Sequence, residues 1–492
     1  MSPLIMSPSS GLSQRTAELN TKYDVDSRTG FMASQVPVRR LPQPWESWEV
    51  LLDSAVNGKF QPGDSLNLSL EDARRSQSWR ASVRESAIIP TYELNNSDTL
   101  LRRAHLVLTF LLHFYVQSLP PDAPIVIPKP ISTPLLHVSA TLDMPPVVTL
   151  SDTVLYNWDF KSSSDSLSPI DLDNLCCQTL FSGLKDEEEF YLSSARIEIR
   201  GVEALELMHL IGDDIRSSMP LPSSTSSPLS SSPSINDDVS QFGTKTSPKN
   251  LIMSSTPLGR VRDHLSQLAV VVNDLKRLLL DVQNGCDPTA YYNVVRPWFR
   301  GEDSDEKKRK WVFEGLDELL GAGTLAKSPT ELSGASAGQS SLIHTLDIFL
   351  GVDNRRPVPS KSNAESEPSF LERMKSYMPR KHRLFLDDLA SWKPSLREFV
   401  LEMGDDSLSA AYNKAVIALK EFRDSHMIIV ALYIIGPAHR AAEAARQKRE
   451  GVVDVPAMDK ASLKGTGGTD LAMFLKGVRN QTAGAVVETV HT

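Results

Sequence analysis

A histidine interrupts an otherwise apolar stripe towards the C-terminal end of the sequence. Within residues 407–438, side chains recur at steps of three or four residues: Leu408, Tyr412, Ala415, Leu419, Phe422, His426, Ile429 and Tyr433. This spacing predicts one long helix with a single buried face. A neutral imidazole on such a face must form a hydrogen bond or bind a metal. Periodicity alone favours a core histidine bonded to a backbone carbonyl, with an axial metal ligand as the alternative.

Arg423 adds weight to the metal-ligand alternative. It lies three residues before His426, on nearly the same face of the helix. A buried guanidinium needs a planar anionic partner, and a histidine beside such an arginine suits a haem with carboxylate side arms. No HxxxH spacing typical of a zinc helix occurs among the ten histidines.

The elements that position these residues are predicted to be helices. Helices are expected at 45–56, at 97–116 with Asn95 or Asn96 as the cap, at 261–282, at 379–390 with Pro379 in the first helical position, and at 394–403. Gly436-Pro437 is expected to end the His426 helix. Six prolines between Pro120 and Pro134 predict an extended or turn conformation there. Strand signals are sparse, so the predicted fold class is all-α.

Composition limits the classes of function. The 492 residues include 52 Lys or Arg and 61 Asp or Glu, a net charge of −9, so no basic field exists to hold nucleic acid. Three cysteines, Cys176, Cys177 and Cys286, form neither a disulfide framework nor a zinc pattern and fit a reducing compartment. No apolar run approaches the ~20 residues of a membrane-spanning helix, and the N-terminus lacks a secretory signal pattern. We therefore expect a soluble, cytoplasmic protein with no membrane or nucleic-acid partner.

Shifts in composition suggest three regions and one insertion. Residues 1–40 are expected to form a mostly loose arm that docks in part at Tyr23–Phe31, 41–183 a small helical domain, and 184–492 a larger helical domain. The Ser/Pro-rich stretch at about 217–257 cannot bury enough apolar surface to offset its ordering entropy and is expected to be a disordered insertion. Its Ser-Pro and Thr-Pro dipeptides would also suit a phosphorylation platform, and the sequence does not separate these two interpretations.

Seven segments together resemble the indoleamine 2,3-dioxygenases, and the Ser/Pro insertion suggests a fungal type. They are LSDTVLYNW (150–158), EFYLSS (189–194), YYNVVRPWFRG (291–301), SGASAGQSS (333–341), MKSYMPRKHRLFL (374–386), FRDSHMIIV (422–430) and KGTGGTDLAMFLKGVR (464–479). They occur in the family's order, and the resemblance covers roughly residues 22–480 outside the insertion. A lone GTGG would be a weak signal, and it lacks the GK[ST] ending of a phosphate loop. The ordered set carries the resemblance.

The resemblance implies a haem b enzyme with a small N-terminal and a larger C-terminal helical domain. The implied reaction opens the indole ring of L-tryptophan with O2 to give N-formylkynurenine, the first step of the kynurenine pathway toward NAD. The implied partners are L-tryptophan and O2, and a monomer is expected. One alternative is a haem-binding regulatory or scaffold protein with little turnover, which the departure at Tyr291 and the insertion keep open. Another is a helical adaptor without a cofactor.

The resemblance also implies roles for individual residues. These are His426 as the iron ligand; Ser194 as the hydroxyl beside O2; Phe190, Tyr291, Tyr292, Arg296 and Thr466 as substrate contacts; and Ser336, Ala337, Arg423 and its acidic companion Asp347 as cofactor contacts. The fork of N–H donors on Arg296 suits a carboxylate, although the residues alone would allow a surface arginine. Ser194 could instead bond within its own helix. The family commonly has Phe at Tyr291 and Gly at Ala335, and Gly465–Thr469 resembles a mobile flap over the substrate.

Overall fold

A computed structural model of the protein describes residues 19–65, 67–162, 169–218, 254, 256–305, 307–352, 369–449 and 471–488. The predicted flap and nearly all of the predicted Ser/Pro insertion lie outside these residues. None of the described helices is both long enough and apolar enough to cross a membrane.

Within the described residues the fold is all-α, as the sequence predicts. The helices are α1 Glu46–Asn57, α2 Leu70–Glu85, α3 Asp98–Gln117, α4 Lys129–Leu142, α5 Lys185–Arg200, α6 Val202–Ser218, α7 Pro257–Asp281, α8 Leu316–Gly321, α9 Ser341–Phe349, α10 Phe370–Lys375, α11 Arg380–Ala390, α12 Leu396–Met403, α13 Asp406–Val430, α14 Gly436–Arg449 and α15 Leu471–Ala483. The strands are β1 Ile125–Ile127, β2 Trp158–Phe160, β3 Leu175–Cys177 and β4 Trp311–Phe313. Strands β1 and β4 pair in parallel, with Ile125 opposite Trp311, and β2 and β3 pair antiparallel.

The predicted helices exist, with starts that differ from the predicted ones by one to four residues, and two of them have a different cap or first residue. Asn95 and Asn96 belong to a 3₁₀ turn, and Ser97 caps α3 instead, because its extended backbone lets Oγ accept from the amide of Leu100 at 3.4 Å. Pro379 is the residue that precedes α11 rather than its first helical residue. Both differences are one or two residues long, the usual uncertainty of a helix boundary.

The expectation that the proline-dense passage excludes helix is wrong from Lys129 onward. Helix α4 contains Pro130 in its first turn, where the missing N–H would have had no partner, and Pro134 in its interior. Pro134 removes one intrahelical hydrogen bond, which costs about 3 kcal/mol. Ile131 and Leu135 are buried beside it, and burial of such side chains contributes about 1.5–3 kcal/mol each. Tertiary packing therefore outweighs the local penalty.

The predicted end of the His426 helix at Gly436-Pro437 is also wrong. Helix α13 passes into a π turn, residues 431–435, in which the amide of Gly436 donates to the carbonyl of Ala431. The chain then continues as α14. Pro437 lies in the first turn of α14, where a proline removes no intrahelical donor that is needed. Two further π turns occur at 151–155 and 291–295.

Two large apolar cores organise the described residues. The first core is built around α3, with α1, α4 and the segment 295–299 packed on it. The second core is built around α7 and α13, which pack along each other over many residues, and it also covers Tyr23 and Phe31. A smaller third cluster lies around Trp158. The domain boundaries expected from the sequence stay a prediction.

Candidate functional site

His426 lies where helix α13 passes from the second core to the first. Phe422 belongs to the second core, and Ile429 and Tyr433 belong to the first. The other seven residues of the stripe are buried, whereas His426 is only partly buried. The periodicity therefore placed the stripe correctly, and the imidazole lies at the junction of the two cores.

The imidazole of His426 is suited to bind a metal. It forms no hydrogen bond with any described residue, so the core histidine bonded to a backbone carbonyl is not observed among them. Burial, and secondarily the positive charge of Arg423, lowers the pKa of His426 to about 4. The ring is therefore neutral at ordinary pH and keeps a lone pair, which is the form that ligates iron.

Arg423 has the planar anionic partner that its burial requires. Its Nη2 donates to both carboxylate oxygens of Asp347, at 2.5 and 2.6 Å, and its Nη1 donates to the hydroxyl of Thr482 on α15. Both members of the ion pair are buried. The helix pattern alone suggested a haem carboxylate as this partner, whereas the resemblance implied Asp347 as the acidic companion of Arg423, and Asp347 is the partner observed. The pair still places a guanidinium one turn of helix before His426.

Ser194 lies on helix α5, which also runs between the two cores. Tyr191 belongs to the first core and Ile197 to the second, so Ser194 lies where α5 passes from one core to the other. Its side chain is partly buried and forms no hydrogen bond with any described residue, so the expected alternative, a bond to its own helix, is not observed. The neighbouring Ser193 instead donates to the carbonyl of Leu278 at 3.4 Å. Helices α5 and α13 therefore each carry one polar side chain, without a hydrogen-bond partner in the described chain, at the boundary between the two cores.

Aromatic rings line one side of the site. The rings of Phe190 and Tyr291 lie 4.3 Å apart between centroids, and Tyr291 contacts Tyr433 edge-on at 5.7 Å. Tyr433 donates its hydroxyl to the carbonyl of Cys286 at 2.6 Å, which fixes its ring. Sequence reasoning assigned Tyr433 to the helix stripe only. Its position seven residues after His426 was the available signal that it shares the site.

Arg296 follows the π turn 291–295 directly. It is half-buried, and its guanidinium lies 5.4 Å from the centroid of the Tyr292 ring. Pro297, Trp298 and Phe299 after it are buried. The sequence-predicted pair of Tyr292 and Arg296 is therefore together in space, on a segment anchored in the first core.

Two glycines allow the segment after Arg296 to cross the small-residue turn. A Cβ on Gly301 would lie 2.0 Å from the carbonyl oxygen of Leu332, and one on Gly334 would lie 1.6 Å from that of Phe299. Neither position can hold another residue without backbone movement. Sequence reasoning missed both glycines, because the motifs RPWFRG and SGASAG do not show that they meet.

The small-residue turn itself is held by buried polar groups. Ser336 accepts from the amide of Gly338 at 3.3 Å, and Ala337 is exposed. Gln339 accepts from the amide of Leu150 at 2.8 Å and donates to the carbonyl of Gly334 at 3.0 Å. Gln339 is a site-supporting residue that sequence reasoning missed, although it lies within the SGASAGQSS motif.

A buried carboxylate, also missed, lies one helical turn beyond Ser194. Glu198 accepts from the hydroxyl of Ser340 at 2.7 Å, and its second oxygen has no hydrogen-bond partner in the described chain. Burial raises the pKa of Glu198 to about 7, against a smaller opposing effect of Ser340. This carboxyl connects α5 to the small-residue turn.

The described residues fit a haem. A neutral histidine and a hydroxyl each lie on a helix that passes between the two apolar cores, and a charge-balanced arginine lies one helical turn before the histidine. The rings of Phe190, Tyr291 and Tyr433 contact one another at the first core. Thr466, a predicted substrate contact, lies outside the described residues.

Comparison with known proteins points in one direction. The sequence matches the indoleamine 2,3-dioxygenase family over residues 19–227 and 248–485. Indoleamine 2,3-dioxygenase of Saccharomyces cerevisiae is 29% identical over 94% of this chain and 92% of its own length. Indoleamine 2,3-dioxygenase nanC of Aspergillus nanangensis is 28% identical over 94% of this chain and 96% of its own length. Indoleamine 2,3-dioxygenase 2 of Mus musculus is 27% identical over 95% of this chain and 95% of its own length.

Proposed function

The chain belongs to the indoleamine 2,3-dioxygenase family, and on that premise we propose that it is a haem-dependent dioxygenase of L-tryptophan. The proposed reaction opens the indole ring with O2 and gives N-formylkynurenine. One observation carries the proposal: the imidazole of His426 is neutral, has no hydrogen-bond partner among the described residues, and lies where its helix passes from the second core to the first. We further propose that the protein acts as a cytoplasmic monomer.

Four residues would hold the cofactor beside His426. Haem would supply the iron that activates O2. His426 would bind the iron through its ring nitrogen, because the imidazole is neutral. Arg423, paired with Asp347, would lie near the carboxylate side arms, because it is one helical turn before His426. Ser336 and Ala337 would allow the edge of the macrocycle to approach, because their side chains are small.

The substrate would be oriented by rings and by one charge. Phe190 and Tyr291 would hold the indole, since their rings contact each other at a tilt and form an apolar wall. Arg296 would bind the substrate carboxylate through two parallel N–H donors, with Tyr292 packed on its guanidinium. Ser194 would present its hydroxyl to O2. Thr466 is proposed to contact the charged end of the substrate.

The visible spectrum of the purified full-length protein, followed by product analysis, tests this proposal. We expect a Soret band, a shifted band in the ferrous CO complex, and N-formylkynurenine from L-tryptophan in the presence of a reductant. Haem without product would support the haem-binding regulatory or scaffold alternative. A colourless protein that takes up no added haem would support the helical adaptor.

A further inference from the structure

Helix α3 holds the segment that carries Arg296. His113, which is fully buried on α3, contacts the carbonyl oxygen of Trp298 through Nδ1 at 2.7 Å. Its other ring nitrogen, Nε2, accepts from the amide of Val148 at 3.2 Å. The imidazole therefore ties α3 to a carbonyl two residues beyond Arg296.

These contacts determine the protonation state of His113. A carbonyl oxygen only accepts, so Nδ1 must carry the proton. The amide of Val148 only donates, so Nε2 must be bare. Burial lowers the pKa of His113 to about 4, so this neutral tautomer is the form present at ordinary pH.

One helical turn later, a second side chain on the same face of α3 also binds a backbone carbonyl of the segment that carries Arg296. Gln117 donates its amide to the carbonyl of Arg300 at 2.7 Å. Both carbonyls that α3 binds belong to the 3₁₀ turn of Arg296 and the residue that follows it. At the end of this turn the amide of Arg300 reaches the carbonyl of Pro297 only at 3.5 Å, and Pro297 has no N–H to donate.

We propose that His113 is a positioning residue for Arg296. By fixing the carbonyl of Trp298, the imidazole sets where the Arg296 guanidinium projects and so how well it meets a carboxylate; Gln117 supports the same turn. This inference rests on the proposed role of Arg296. A small misplacement of the Arg296 guanidinium would weaken substrate binding and lower the rate. His113 would therefore act by keeping this guanidinium in position.

Paired substitutions separate positioning from general stability. His113→Asn keeps a donor near Nδ1, whereas His113→Gln keeps an acceptor near Nε2 and loses the donor to Trp298. The readout is the ratio of kcat/KM for tryptophan to kcat/KM for tryptamine, which lacks the carboxylate. We expect His113→Gln to lower this ratio roughly 10-fold, the effect of one lost hydrogen bond at a buried site, and His113→Asn to lower it less.

The matched control is His105→Asn. His105 is also buried on α3 and bonds to Asp152 at 2.7 Å and to the carbonyl of Pro145 at 3.1 Å, away from the Arg296 turn. It should leave the ratio unchanged even if it lowers the melting temperature. If the His113 variants do not fold, Gln117→Leu provides the same test with a smaller change in the ratio.

A double mutant decides whether His113 acts through Arg296. In the Arg296→Ala background, His113→Gln should change the ratio no further, because the group it positions is gone. An equal loss for both substrates, or a loss of ratio that persists without Arg296, overturns the inference.

Failure of the proposed function can be recognised separately. If the wild-type holoprotein turns over neither substrate, calorimetric affinities for tryptophan and tryptamine give the same ratio and the same test. If the wild-type protein binds the two equally, no carboxylate contact exists for His113 to position, and the inference is wrong.

Discussion

Arg296→Ala should weaken turnover of tryptophan far more than it disturbs the haem. Arg296 is half-buried and lies against the ring of Tyr292, so solvent screens its charge only in part. A hydrogen-bonded contact to a charged group contributes about 1.5–3 kcal/mol. Because about 1.4 kcal/mol corresponds to a factor of ten, kcat/KM for tryptophan should fall roughly 10- to 200-fold.

The assay compares two substrates and a neighbouring arginine. The loss should be much smaller for tryptamine, and the spectrum of the ferrous CO complex should be retained. Arg296→Lys should restore only part, because an ammonium does not reproduce the planar fork. Arg300→Ala is the control: its side chain pairs with Asp64 at the surface, and such pairs contribute about 0–1 kcal/mol. Equal losses for tryptophan and tryptamine in Arg296→Ala would refute the reasoning.

Four further outcomes follow from the described contacts and the sequence. His426→Ala should abolish stable haem binding while circular dichroism stays helical; an unchanged Soret band with full haem content would remove His426 as the ligand. The pKa of Glu198 is about 7 in the folded protein, against an ordinary 4.5. The folded state therefore holds this proton more tightly than the unfolded state does, which stabilises the fold by about 3 kcal/mol below pH 4.5. This stabilisation is lost as the pH rises from 4.5 to 7. Urea unfolding at pH 5 and 8 should show this fall in the wild type and not in Glu198→Gln; equal falls in both would contradict it. Gly334→Ala should lower the free energy of unfolding by about 3 kcal/mol or more, because its Cβ would lie 1.6 Å from a carbonyl oxygen. The control Gly321→Ala, which has open space around it, should lower it by less than about 1 kcal/mol. Similar melting temperatures for the two variants would show that the backbone at Gly334 relaxes. Deletion of residues 223–247 should leave haem content and turnover nearly unchanged, and loss of haem or of solubility would show that this segment packs on the body.

The part of the site that follows periodicity could be predicted from the sequence. The step of three or four residues placed His426 in a stripe whose other members are all buried. The same periodicity gave the all-α class and most helix positions. These features depend on residues close together in the chain, so a single sequence contains them.

What the sequence did not contain are contacts between distant segments. Helix α4 forms around Pro134 because buried neighbours from elsewhere outweigh a local penalty. Gly301 and Gly334 matter only because two segments cross there. Asp347 lies 76 residues from Arg423 in the chain, and no local pattern joins them. Without the resemblance, Arg296 would have stayed a surface arginine before a proline.

The π turns at 291–295 and 431–435 make this site more sensitive to deletions than to substitutions. Each holds one residue more than an α-helical turn requires, so each is in effect a retained insertion. A substitution there alters one side chain. Deletion of one residue from 431–435 would instead restore i→i−4 bonding, remove the wide turn and shift Tyr433 relative to His426. Lineages can therefore exchange residue types in these turns more freely than they can change their length.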